Sequence, residues 1–281
     1  MTKVYFNGEF YNEDAVPITF KSRAFRYGDG MFETIKIING KAIFLENHVI
    51  RIKKGLSTLQ ITIPDILEIE KLNTVILDLA KKNGIQKGGF GRLIVWRESE
   101  GRYMPENDNA SYLIELTPYP NNLFVLSKSG KSIDIYQEIR KQTNIIGQYK
   151  SLNSQLNVLA AVHARNKGVD DNLICNEDGL IIETTNSNVF IVSNGTLYTP
   201  PLNDGCVGGT MRMNVINAAL ELKINVYESS LNQQHLLMAN EILLTNAIQG
   251  IEWVNAFKHK RYYSTTAQKL VDQLNKTALN L

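Results

Sequence analysis

Lys150 stands past an extended run and just before a helical one, in Tyr149-Lys150-Ser-Leu-Asn153. A lysine amine can form a Schiff base if burial or a cationic neighbour removes its proton near neutral pH. Glu183 closes the apolar run Leu180-Ile-Ile and opens Glu183-Thr-Thr-Asn-Ser-Asn188-Val-Phe190. Burying such an acid unpaired is expensive, and a protonated ring nitrogen is a suitable partner. Val207-Gly208-Gly209-Thr210-Met211-Arg212 precedes an apolar-periodic helix. Glycines there let the backbone approach an anion, which free N–H groups and the helix dipole then bind. His48 and Arg51 lie at i, i+3 on one helix face, and an arginine fork can clamp a phosphate. Each feature has an ordinary alternative: a solvated lysine, a strand-end carboxylate in water, a plain glycine turn, a surface ion pair. Taken together, an imine-forming amine, a ring-nitrogen acid and a phosphate site are what pyridoxal 5'-phosphate requires.

The elements that must position these groups follow from periodicity. Residues 3–6 and 9–11 read as strands about Asn7-Gly8, and 31–38 with 41–45 as a hairpin about Asn39-Gly40. Helical spacing covers 45–59, and Pro64-Asp65 opens a second helix that runs to about residue 82. Strands at 92–96 and 111–116 flank a polar loop, 98–109. Thr117-Pro-Tyr-Pro-Asn-Asn122 is the best linker candidate. Beyond it, 133–139 is extended and 154–166 helical, and 172–175, 180–183, 188–192 and 195–198 are short strands. Helices are expected at 210–222 and 231–239, a strand at 241–245, and a last helix opened by a capping box at Thr265-Thr-Ala-Gln268. The expected fold class is α+β, in two domains: 1–116, a linker 117–122, and 123–281 carrying Lys150.

Composition excludes several other classes. The chain has 281 residues, 43% hydrophobic and 21% charged, with a net charge of +2. That balance gives no basis for a nucleic-acid or acidic-membrane surface. Two cysteines without CxxC spacing and four histidines assemble no metal cluster. No run approaches the roughly 18 apolar residues of a membrane span, and the N-terminus has no signal-peptide h-region. A reduced, cytoplasmic protein is expected.

The motifs resemble, in order and spacing, the class IV aminotransferase family of fold-type IV pyridoxal-phosphate enzymes. Tyr27-Gly-Asp-Gly-Met-Phe-Glu-Thr34 looks like its N-terminal signature, and Leu45-Glu-x-His-x-x-Arg51 like its phosphate-holding arginine segment. Lys150-Ser-Leu-Asn153 is similar to the Schiff-base lysine segment, and Glu183 through Phe190, with Asn188, to the ring-nitrogen segment. The stretch 205–212 resembles the phosphate turn, with Gly209, Thr210 and Met211 at the anion, and Thr245-Asn246-Ala-Ile248 the last family segment. Met211 replaces the usual threonine, so its backbone N–H is expected to serve.

The resemblance implies a two-domain enzyme with the cofactor in the cleft between domains. It would move an amino group between an amino acid and a 2-oxo acid. Lys150 would be catalytic. Arg51, Lys150, Glu183, Asn188, Gly209, Thr210, Met211 and Asn246 would hold the cofactor, and Phe32 and Arg102 the substrate. Arg102 matches an arginine that traps substrate carboxylate in the D-amino acid branch, and Phe32 replaces a tyrosine of that branch. A homodimer is implied, with the 98–109 loop closing the neighbour's site. The alternatives are a 4-amino-4-deoxychorismate lyase releasing pyruvate, and a non-catalytic protein that keeps the fold for binding.

Overall fold

Alternation in the first part of the chain builds one antiparallel sheet, here in a computed structural model that describes residues 1–85 and 87–280. Its strands are β1 (Lys3–Phe6), β2 (Glu9–Asn12), β3 (Gly30–Ile38), β4 (Lys41–Ala42), β5 (Gly89–Arg97) and β6 (Ala110–Pro118), in the order β2-β1-β6-β5-β3-β4. The short helix α1 (Arg23–Tyr27) precedes β3. Helices α2 (Leu45–Thr58) and α3 (Ile69–Lys82) pack on the sheet. Leu45, Val49, Ile52 and Leu56 of α2 recur at helical spacing, and all are buried with Leu72, Ile76 and Leu79 of α3. The expected second hairpin strand stops at Ala42, because Phe44 takes a left-handed conformation (φ 55°) and α2 begins at once.

The first compact unit is Met1–Leu123 together with Tyr149–Asn153, and the second is Phe124–Gln148 with Ser154–Leu281. Two expectations change here. Residues 117–122 do not form a free linker: β6 runs to Pro118, Tyr119 N–H donates to Gly88 O, and the Asn122 side chain accepts from Asn39 N–H and donates to Asn39 Oδ1. The segment carrying Lys150 packs with the first unit instead of the C-terminal one. Phe32 N–H donates to Lys150 O (2.8 Å) and Leu152 N–H to Gly30 O (3.0 Å), so the segment lies antiparallel along β3.

The second unit contains β7 (Lys131–Lys141), α4 (Gln155–Lys167), β8 (Asp171–Asn176), β9 (Ile181–Thr184), β10 (Asn188–Ser193) and β11 (Thr196–Thr199). Then follow α5 (Thr210–Glu221), β12 (Val226–Glu228), α6 (Gln233–Met238), β13 (Glu241–Asn246), β14 (Gly250–Phe257), β15 (Lys260–Arg261) and α7 (Thr265–Leu279). Its sheet runs β12-β11-β10-β13-β14-β7-β8-β9, with β9 pairing back to β10. That last pairing, Glu183 opposite Asn188, closes a ring of hydrogen-bonded strands around Ile133, Leu173, Val189, Leu244 and Val254. Strand β14 goes beyond the elements expected from the sequence. The expected capping box on the last helix is absent. Ser264 is the N-cap and makes no side-chain cap, and the buried carboxylate of Glu241 accepts from Thr266 and Ala267 N–H instead.

Candidate active site

In the first unit, strand alternation sorts the charged groups onto two faces. Met31, Glu33, Ile35 and Ile37 share the face covered by α2, which leaves an acid inside the core. Glu33 is 1% exposed. Arg51 grips it side-on, Nε to Oε1 at 2.7 Å and Nη2 to Oε2 at 2.5 Å, and His48 Nδ1 lies 2.6 Å from Oε2. Burial raises the Glu33 pKa, but Arg51 and His48 more than offset that and hold it at about 2. A carboxylate has no proton to give, so His48 Nδ1 is the donor. Burial keeps the imidazole below its ordinary pKa despite Glu33, and the charges of Arg51 and Lys150 push the same way as burial.

The opposite face carries Phe32, with Arg92 diagonal to it across the β3–β5 ladder and Lys150 beside it on the other edge. The Lys150 ammonium and the Arg92 guanidinium each lie 4.4 Å from the Phe32 ring centroid. Arg92 Nε is buried and has no hydrogen-bond partner among the described residues. Arg102, by contrast, sits in the exposed 98–109 loop, and the structure uses its carbonyl, which accepts from Arg23 Nη1 at 2.6 Å. That loop is anchored through Asp29, whose Oδ2 accepts from Arg23 Nε (2.8 Å) and Arg97 Nε (3.0 Å). The turn before β3 needs its glycines: Gly28 is left-handed (φ 61°), and a Cβ on Gly30 would overlap the β5 backbone.

In the second unit, Glu183 is 4% exposed. Its Oε1 accepts from Lys141 Nζ at 2.6 Å and its Oε2 from Val207 N–H at 2.8 Å. Asn188 Nδ2 donates to Val207 O at 2.7 Å, and a Cβ on Gly209 would overlap Asn188 Oδ1. Asn188 therefore pins the turn that starts α5, and only glycine fits against it. Gly209 is the N-cap of α5 and supplies no side-chain cap to the helix N–H groups. Thr210 and Met211 are buried, so Met211 can offer only its backbone there. Thr245 pairs with Asn188 across the ladder and faces the same way, and its buried hydroxyl has no partner among the described residues. Asn246 serves its own turn: Oδ1 accepts from Ile248 and Gln249 N–H, and Nδ2 donates to Ser187 Oγ. Cys206 beside this turn is inert, its thiol pushed up to about 12 by burial and by Glu183.

The donor set suits pyridoxal phosphate. The second unit offers the buried Thr245 hydroxyl and a helix start whose N-cap glycine brings no side chain, for a phosphate, and a buried carboxylate for a cationic nitrogen. The first offers an amine beside an aromatic ring. Among the described residues no group of three or more His, Cys, Asp or Glu could hold a metal, and no helix is long and apolar enough to cross a membrane. Three groups were missed in the sequence: Glu33, Arg92 and Lys141. Glu33 was detectable as an acid on the apolar face of a strand. The other two depend on strand pairing.

The fold and these groups define a two-unit α+β enzyme of fold-type IV. A branched-chain aminotransferase from Thermoproteus uzoniensis, solved with norvaline, superposes with a TM-score of 0.91 at 24% identity, over 99% of this chain and 95% of that one. The pattern of the amino-transferase class IV family matches residues 30–257, and the chain belongs to that family, whose members are pyridoxal-phosphate enzymes. A Methanocaldococcus jannaschii protein named "Putative branched-chain-amino-acid aminotransferase" is 30% identical over 252 residues, 89% of this chain and 85% of the relative. An aminodeoxychorismate lyase of Bacillus subtilis is 25% identical over 253 residues, 88% of this chain and 84% of the relative.

Proposed function

We propose that this protein is an aminotransferase that exchanges an amino group between an amino acid and a 2-oxo acid, one of the pair being a dicarboxylate. The observation that carries this reading is Phe32 with Lys150 and Arg92 both 4.4 Å from its ring. A guanidinium with an unpartnered buried Nε stands near the reactive amine, and its planar fork suits a carboxylate. Arg92 takes the substrate-binding role expected of Arg102, whose side chain is exposed.

Pyridoxal phosphate, when bound, supplies a carbonyl for the amine and an electron sink. Lys150 Nζ is the only amine the reading requires at the reacting carbon, and it moves the proton there as general acid and base. Glu183 keeps a proton on the ring nitrogen, and the Asn188-pinned turn presents the N–H groups of α5 to the phosphate. Arg51, fixed by Glu33, adds a cation for the phosphate. Phe32 keeps water from one side of Lys150. The same reading takes the enzyme as a cytoplasmic homodimer with the 98–109 loop at the neighbour's site, and sedimentation of the purified protein checks the oligomeric state.

The test is a panel of L- and D-amino acids with 2-oxoglutarate or pyruvate, with aminodeoxychorismate in parallel. Amino transfer to 2-oxoglutarate is expected. Arg92→Leu should raise the KM for 2-oxoglutarate about tenfold or more, the loss of one charge-assisted contact, with a smaller effect on pyruvate. Pyruvate release from aminodeoxychorismate without amino transfer would replace this reading by the lyase one, which the Bacillus subtilis relative represents.

A further inference from the structure

Lys141 reaches Glu183 by an irregularity in the sheet. The parallel β7–β8 ladder keeps register from Ile133 to Tyr136, breaks, and resumes at Lys141 opposite Asn176. Bulged ladders of this kind re-aim side chains. Here the break turns the last residue of β7 toward β9, where Lys141 Nζ meets Glu183 Oε1 at 2.6 Å. A second acceptor, Gly147 O at 2.9 Å, fixes the ammonium from the other side. The two Glu183 oxygens are thus held by different elements, Oε1 by the end of β7 and Oε2 by Val207 N–H at the turn before α5.

We propose that Lys141 is a positioning residue that holds the Glu183 carboxylate aimed at the ring nitrogen of the cofactor. This rests on the cofactor reading above and adds a residue to it. A carboxylate whose side chain is 5% exposed, left with one neutral donor, would lose its counter-ion and half of its orientation. A carboxylate rotated away cannot balance a cationic nitrogen. The competing effect is electrostatic repulsion. A lysine cation beside a cationic ring would repel it, and removing Lys141 would then tighten binding. The geometry favours positioning, because Lys141 occupies one oxygen only and is tied back to Gly147.

The experiment compares two ligands on the full-length, cofactor-free protein: pyridoxal phosphate, and its analogue with a carbon in place of the ring nitrogen. Binding is read by fluorescence, independent of turnover. Lys141→Met should weaken pyridoxal phosphate about tenfold, the loss of one charge-assisted hydrogen bond, and leave the analogue within about twofold. Lys141→Arg should restore the wild-type affinity. If Lys141→Met does not fold, Lys141→Gln keeps a donor without the charge and should show the same selective loss. Unchanged or tighter cofactor binding, an equal loss for both ligands, or no rescue by arginine would overturn the proposal. A wild-type protein that binds neither ligand would instead overturn the cofactor reading itself.

Discussion

Replacing Glu33 by glutamine tests whether the buried carboxylate under α2 organises the first unit. In the folded protein its pKa is held at about 2, against an ordinary value of 4.5. A depressed carboxylate pKa stabilises the fold above the unfolded value, and that contribution fades as pH falls toward the folded one. The window is therefore pH 4.5 down to about 2. At 1.36 kcal/mol per unit, the difference amounts to about 3 kcal/mol at neutral pH. Glu33→Gln removes this term and leaves the Arg51 guanidinium in a dry site without the Glu33 counter-ion. The variant should be roughly 3 kcal/mol less stable at pH 7, and the difference from wild type should shrink as pH falls through the window. Urea unfolding of the cofactor-free protein measures it. Trp96 fluorescence reports on this unit once Trp253 is replaced by phenylalanine. Parallel stability curves, with a constant gap from pH 7 to 3, would refute the argument, since they would mean that the Glu33 charge contributes nothing to folding.

Lys150→Ala should abolish turnover while the protein stays folded, and borohydride reduction of wild type should place the cofactor adduct on the Lys150 peptide; an adduct on Lys141 would sink the assignment. Gly209→Ala should destabilise the protein by about 2 kcal/mol and weaken cofactor binding, because a Cβ there displaces Asn188 from the turn before α5; a variant with wild-type Tm and affinity would contradict the role of Asn188. Asp29→Asn should cost about 1–2 kcal/mol and speed amide exchange in the 98–109 loop, since Arg23 and Arg97 lose a shared, partly buried counter-ion while Arg97 keeps Asp108; unchanged exchange would show that the loop is held by other contacts.

The helical spacing of α2 and α3 and the alternation of β1, β3, β5 and β6 were readable because each element buries one face at its own period. What escaped was set by partners distant in sequence. The cap of α7 comes from Glu241 on β13, so the Thr265-Gln268 pattern, a sound local signal, lost to a buried carboxylate already in place. The Pro-rich stretch 117–122 reads as a linker by composition, yet Asn122 and Tyr119 spend their hydrogen bonds on the first unit. Closure of the second sheet depends on the single pairing of Glu183 with Asn188, which no period reveals.

The site divides along the same line. Lys150 and Glu183 are conspicuous because their types are rare at the places where they stand, an amine between a strand and a helix and an acid ending an apolar run. Sequence cannot show which neighbours they have. The backbone of 150–152 joins the edge of β3, and this puts Lys150 in one row with Phe32 and, diagonally, Arg92. Arg92 opens an expected strand, where an arginine looks ordinary; only the β3–β5 register shows that it shares a ring with the amine. Lys141 lies past a break in its ladder, so even a correct pairing of β7 with β8 extended from Tyr136 would have aimed it wrongly. Residue type thus marks the groups that react, whereas strand register and its irregularities select the groups that hold them. In this chain Arg92 and Lys141 are the positions where substitution should separate substrate choice from cofactor hold: Arg92 changes should move the KM for the dicarboxylate, and Lys141 changes should move the affinity for pyridoxal phosphate.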